Sequence, residues 1–269
     1  MIRNNYKYES SRIFMRGKKG QIAIFVIIAI VIVAIILLIV FYPRLPSITQ
    51  GAELSPVSFL ASCIQPDLKT DVALLGGTGG YATPDAYLEY QGAKIQYLCY
   101  TAEDYKTCVV QQPLIKENFE RQLNTLIKSK VSGCVQSLNQ EYTNQGYQVT
   151  IGNVDSQTSI NPGDILISIT APMTATKSGV TKSFTGFNVE VPSKMYDLLM
   201  IATSVIDYES TLGDSETTLY VQYYPNLVMQ KIRLDDGSKV YSLTDVTTNE
   251  SFRFASRSLV WPPGYGTTT

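Results

Sequence analysis

Residues 16–42 read RGKKGQIAIFVIIAIVIVAIILLIVFY, and their reading decides in which surroundings the rest of the chain folds. The run 22–42 holds twenty-one residues without a charge or a strongly polar group. At about 1.5 Å of rise per residue, a helix of that length spans a hydrocarbon core of about 30 Å. The many Ile and Val residues do not oppose helix there, because in lipid a single segment satisfies its own backbone only as a helix. A secretory signal has an apolar core of about 7–15 residues before a small-residue cleavage site. This run is longer and continues into FYPRLP. The sequence thus predicts a retained membrane helix over 21–42, contacting lipid through residues 22–42. Arg3, Lys7, Arg12, Arg16, Lys18 and Lys19 precede it, against Arg44 alone in the next twenty positions. That bias places the N-terminus in the cytoplasm and the long remainder outside the cell membrane.

Charge narrows the class of partner. Residues 43–269 carry sixteen basic and twenty-two acidic groups, so the exterior repels a nucleic-acid backbone and no nucleic-acid partner is expected. The chain has eighteen tyrosines and no histidine. The commonest general base and the commonest neutral metal ligand are therefore absent, and neither an enzyme nor a cofactor or metal site is expected.

After the linker, SPVSFLASCIQPDLKTDVALLGG (55–77) reads as helix. Ser55 is its N-cap, Pro56 its first residue, and Leu60, Ile64, Leu68, Val72 and Leu75 recur at helical spacing. Pro66 predicts a kink or a split into two helices. A second amphipathic run begins at Pro113, with Phe119, Leu123, Ile127, Val131 and Cys134 on one face. Between them YLEYQGAKIQYLCYTAEDYKTCVV (87–110) alternates as a hairpin or small meander that turns at TAED. From Tyr147 the pattern is mainly extended, in YQVTIGNV, DILISITA and SFTGFNVEVP, interrupted by a helix over 193–211. LVMQKIRL, KVYSLTD and SFRFASRSLVW, joined by turns at DDGS and TTNE, form a closing three-strand meander.

Cys63, Cys99, Cys108 and Cys134 allow three pairings. Cys63 and Cys134 fall on or beside the apolar faces of the two helices, and Cys99 and Cys108 flank the proposed turn. The nested pairs 63–134 and 99–108 are the expected disulfides. Their spacing contains no C-x₂-C element, which disfavours zinc. LLGGTGGY (74–81) follows a helix, not a strand, so it reads as a helix stop and flexible turn and not as a phosphate loop. Asp235 and Asp236 are ordinary turn residues, and no exterior serine has a histidine to activate it. Arg253 and Arg257 share a strand face opposite Phe252 and Phe254, which suits a solvated surface; an acidic ligand is the alternative. Asn249-Glu250-Ser251 is a glycosylation sequon in an expected exterior turn. The tyrosines at 81, 87, 90, 97, 100 and 105 read as core packing, with an interface as the second reading.

KKGQIAIFVIIAIVIV (18–33) resembles the class III signal of archaeal type IV pilin-like precursors. That resemblance implies recognition of Lys18, Lys19 and Gly20 by a prepilin-type peptidase, with cleavage before Gln21 and retention of the apolar helix. The sequence departs from the pilin pattern in lacking an acidic residue in the first turns after the glycine. More of the chain resembles membrane-anchored ectodomain proteins of small-genome archaea, through KKGQ, Cys63, GGY (79–81), Cys134, VPSK (191–194) and FRFASRS (252–258). No activity comes with that likeness.

The expectation is an α+β protein: one N-terminal transmembrane helix, then an antiparallel-sheet ectodomain with packed helices and disulfides. Its expected parts are a cytoplasmic leader (1–20), the helix (21–42), a linker (43–54), a helix-hairpin-helix subdomain (55–146), an α+β sheet subdomain (147–262) and a loose tail (263–269). Its expected role is a cell-surface binding or structural protein that meets another envelope protein or itself. The alternative is a pilin-like filament subunit processed after Gly20.

Overall fold

The computed structural model describes residues 27–33 and 55–259. The chain divides into two compact units, residues 1–53 and 54–269. In the first, residues 27–33 are helical (α1) with exposed side chains. Among the described residues no helix is long and apolar enough to cross a membrane. The leader, most of the span 21–42, the whole linker and the tail lie outside the described residues, as do Lys18, Lys19, Gly20 and Gln21.

The second unit is α+β, with two sheets and four helices among its described residues. It opens with α2 (Pro56–Gly77), whose N-cap Ser55 accepts the Ser58 amide at 3.4 Å. Helix α2 runs through Pro66 as one element, so of the two expectations the split into two helices does not occur. The carbonyl that Pro66 cannot serve is that of Ser62; both residues are on the solvent face, so water can take that bond. The opposite face buries Leu60, Ile64, Leu68, Val72 and Leu75, each contributing about 1.5–3 kcal/mol. This stripe packs on α3 (Ile115–Asn144), which buries Phe119, Leu123, Ile127, Val131 and Leu138. The helices run antiparallel: early Cys63 bonds to late Cys134, Lys130 pairs with Asp71 at 3.3 Å, and early Asn118 donates to the Gly80 carbonyl at 3.0 Å.

The expected helix stop and turn are present in residues 74–81, with α2 ending at Gly77, but the turn is packed. Gly79 and Gly80 are buried, and the Gly80 amide returns to the Leu75 carbonyl at 2.8 Å. At Gly76 a Cβ would stand 2.2 Å from the Ser251 carbonyl oxygen. Only a residue without a side chain lets the helix approach the closing strand that closely.

The Tyr-rich middle holds β1 (Tyr87–Tyr90), β2 (Ala93–Tyr100) and the short β3 (Val109–Val110). Its tight turn is Gln91-Gly92, where both residues have positive φ (51° and 77°), the requirement of a two-residue primed turn. TAED instead begins the longer loop to β3, which pairs with β2 through only Cys99↔Val110 and Tyr100↔Val109.

Strands β4 (Gln148–Ile151), β5 (Asp155–Asn161), β6 (Asp164–Lys177) and β7 (Val180–Pro192) form one antiparallel sheet. β7 follows β6 along its length, while β5 and β4 pair with its first and second halves. After α4 (Met195–Leu212) and the short α5 (Thr217–Tyr223) come β8 (Leu227–Arg233), β9 (Ser238–Asp245) and β10 (Ser251–Arg257), the expected meander. β10 also pairs in parallel with β2, giving the order β1-β2-β10-β9-β8. The fold class is therefore α+β, but this sheet is mixed and not purely antiparallel. The same pairing removes the expected division at 146/147. A strand from 55–146 lies inside the sheet of 147–262, and one hydrophobic core runs through α2, α3, α4 and both sheets.

Candidate functional site

Helix α4 stops at Gly213, in the left-handed conformation, whose amide donates to the Glu209 carbonyl at 3.1 Å. Glu216 then caps α5, accepting the Thr218 amide at 3.0 Å. Helix α5 buries none of its residues and is tied to α4 by a hydrogen bond of 2.9 Å between Ser204 Oγ and Tyr220 Oη. Between the two helices lies a cleft of about 560 Å³, lined by Ser204, Tyr208, Leu212, Asp214, Glu216, Leu219, Tyr220, Tyr223 and Tyr224. Tyr223 is 81 % exposed, Leu212 61 % and Leu219 50 %. Scattered exposed apolar residues need no explanation, but a concave cluster of aromatic and leucyl side chains is the composition of a binding surface.

One edge of the cleft is charged. Asp214 bonds to Lys231 at 3.0 Å, to Lys239 at 3.0 Å and to Arg233. Burial pushes its carboxyl up, but Lys231 and Lys239 outweigh that and hold it below the ordinary value. Behind Asp214 the network enters the core. Glu209 is 0 % exposed and accepts from Lys239 (2.9 and 3.0 Å), Tyr241 Oη (2.5 Å), Ser256 Oγ (2.8 Å) and the Ser215 amide (3.0 Å). Burial, then the charge of Glu209, pushes the Tyr241 phenol far above its ordinary value, so it stays a donor. Tyr241 stacks on Phe254 with centroids 5.2 Å apart, which fixes the ring that aims the hydroxyl.

The expected disulfides are present as Cys63–Cys134 and Cys99–Cys108, with Cα atoms 5.9 and 5.3 Å apart. Cys99 and Cys108 are buried under β10, where Cys108 Sγ lies 3.8 Å from Ser256 Oγ. Asn249 is exposed in the β9–β10 turn with φ at 59°. Its neighbour Glu250 is turned inward, accepting from Ser193 Oγ at 2.8 Å and from the Lys194 amide. Arg257 is not an open ligand site: Nη1 and Nε donate to the carbonyls of Thr101 and Asp236. Tyr97 is buried, whereas Tyr100 and Tyr105 are exposed; core packing does not describe the whole set. Among the described residues no group of His, Cys, Asp or Glu could hold a metal ion.

Asp245 organises the turn that presents Asn249. Its Oδ1 accepts the amides of Thr247 and Thr248 at 2.9 and 3.0 Å. Burial raises its carboxyl pKa, but the Thr247 and Thr248 donors dominate and hold it below 3.8. A folded value below the unfolded one means stability present above the unfolded pKa and lost as pH falls through the folded value. The protection factors of the Thr247 and Thr248 amides, their exchange rates relative to the unstructured rate at the same pH, are expected to be unchanged down to about pH 4 and to fall below it. Protection factors that are the same at pH 3 and pH 6 would contradict this.

No family model, no curated protein and no solved structure matches the chain. Neither the cleft nor the Glu209 network is among the expectations from sequence.

Proposed function

We propose that the protein is a single-pass, membrane-anchored envelope protein whose exterior domain binds a partner protein of the cell surface through the α4–α5 cleft. The carrying observation is the exposed cluster of Tyr223, Tyr208, Tyr224, Leu212 and Leu219 around that cleft. Tyrosine suits this role because it buries a large area with little rotamer freedom and keeps a polar tip. The anchor rests on the sequence of residues 22–42 and the basic residues before it. The two disulfides agree with an oxidising exterior, and the exposure of Asn249 supports a glycan there.

Tyr223→Ser and Leu219→Ser alter side chains that carry little of the domain's own packing, so thermal unfolding is expected to stay within about 0.5 kcal/mol of the native protein. Loss of two such anchors is expected to weaken partner binding by about thirty-fold or more. The readout is chemical crosslinking on intact cells, comparing wild type with the double variant at equal surface abundance. Equal crosslinking of the two would rule out the cleft.

A filament subunit is the second reading, favoured by the Lys18-Lys19-Gly20-Gln21 sequence. Terminal sequencing of the native protein, from sheared filaments and from washed membranes, separates the two. A chain beginning at Gln21 in the filament fraction supports the filament. Intact anchored protein confined to detergent-extracted membranes supports the first reading.

A further inference from the structure

The arrangement of Glu209, Asp214 and Lys239 is more than an ion pair needs. The Lys239 ammonium lies between two carboxylates, 2.9 and 3.0 Å from the Glu209 oxygens and 3.0 Å from Asp214 Oδ1. Its side chain is only 7 % exposed, and the Glu209 Oε1 that it meets also accepts from Tyr241 Oη. Both oxygens of Asp214 also face Lys231 Nζ, at 3.0 and 3.1 Å, and Oδ2 faces Arg233. An amine, a polarised carboxyl and a buried base are thus held within reach of one another by α4, the loop after it and β9.

We propose that Lys239 and Asp214 condense into an intramolecular isopeptide bond, with Glu209 as the base that frees the amine. Glu209 takes a proton from Nζ, and the nitrogen lone pair attacks the Asp214 carboxyl carbon to form the C–N bond. Lys231 and Arg233 stabilise the negative charge on the tetrahedral oxygens, as donors in an oxyanion hole do. The C–O bond then breaks. The departing oxygen takes two protons, the second one of nitrogen directly across the 3.0 Å contact and the one held by Glu209, and leaves as water, so that Glu209, Lys231 and Arg233 end as they began. An ammonium and a carboxylate become an amide and one water, so no oxidant or other reactant is required. Fixed proximity of this kind reaches effective concentrations of about 10⁵–10⁸ M, which drives a condensation that free amines and acids in water do not undergo.

Asp214 and not Glu209 is the acyl partner. Glu209 is enclosed and holds four donors, leaving no route for water to depart. The Asp214 side chain is 40 % exposed at the cleft edge, so water escapes there. The bond would join the loop after α4 to β9, a third covalent closure beside the two disulfides.

The test is mass spectrometry of the full chain purified from membranes in detergent. The expected intact mass is lower by one water than the sequence mass corrected for two disulfides. After reduction and trypsin, Lys239 is expected to resist cleavage, and its peptide to appear branched to the one containing Asp214. Glu209→Gln and Asp214→Ala are each expected to restore the water and cleavage after Lys239, with disulfide content unchanged as the sign of folding. An intact mass with no water lost overturns the proposal. So does water loss with Lys239 still cleaved, which would mark a cyclic imide at Asp214 and not a bond to lysine.

Discussion

Replacing Cys63 and Cys134 together by alanine is expected to lower the unfolding free energy by about 4 kcal/mol. The bond closes a loop of 71 residues, and the chain-entropy relation scales with the logarithm of that length. The loop contains most of α2, the whole β1–β3 region and most of α3, so an unfolded chain without the bond explores far more space. Thermal unfolding of the double variant should fall by on the order of 10 °C for a domain of this size. Cys99 and Cys108 close a loop of nine, and their loss should cost about 3 kcal/mol by the same relation. Calorimetry of both variants, with alkylation of the unreduced native protein as control, checks the order. A larger effect at 99–108 than at 63–134 would show that packing around Cys99 and Cys108, and not loop entropy, sets the ranking.

Glu209→Ala is the other change with a large expected effect, about 3–5 kcal/mol, because it removes the fully buried carboxylate facing the Lys239 cation and leaves only Asp214 at the cleft edge. It also orphans the Tyr241 hydroxyl, the Ser256 hydroxyl and the Ser215 amide at once. The contrast is Glu103, whose pair with Lys106 has both side chains about two-thirds exposed. Glu103→Ala should change stability by under about 1 kcal/mol. Urea unfolding of the two variants side by side is the measurement, and similar midpoints would mean that the core tolerates Glu209 as a replaceable side chain.

Part of the Glu209 site was legible without coordinates. Along α4 the buried stripe Met195, Leu198, Leu199, Ala202, Ile206 reaches Glu209 at the next helical step. In KVYSLTD the inward alternation that buries Tyr241 and Leu243 also faces Lys239 inward. Two opposite charges on two core faces announce a partnered pair. That they meet each other, and meet Asp214, depends on α4 lying against β9, which neither segment encodes alone.

The cleft was less legible. Residues 217–223 carry no periodic apolar stripe, and α5 owes its helix to the Glu216 cap and the tether from Ser204. The hairpin at Gln91-Gly92 was missed because glutamine is an uncommon first residue for a turn that needs positive φ twice. Strand β5 was missed because DSQTSIN is polar; its Ser156 and Thr158 are buried by position.

Local pattern alone determined the long helices α2, α3 and α4, the closing meander and the α+β class, since spacing of apolar residues and caps acts over a few residues. It also placed each cysteine on a face or beside a turn from which its bond could form. Tertiary structure alone decided the parallel join of β2 to β10, the main core shared by both sheets and the gathering of Glu209, Asp214 and Lys239. Those depend on contacts between segments up to about 150 residues apart, such as Thr101 with Arg257, where the free energy comes from burial shared by both partners and is written in neither stretch by itself.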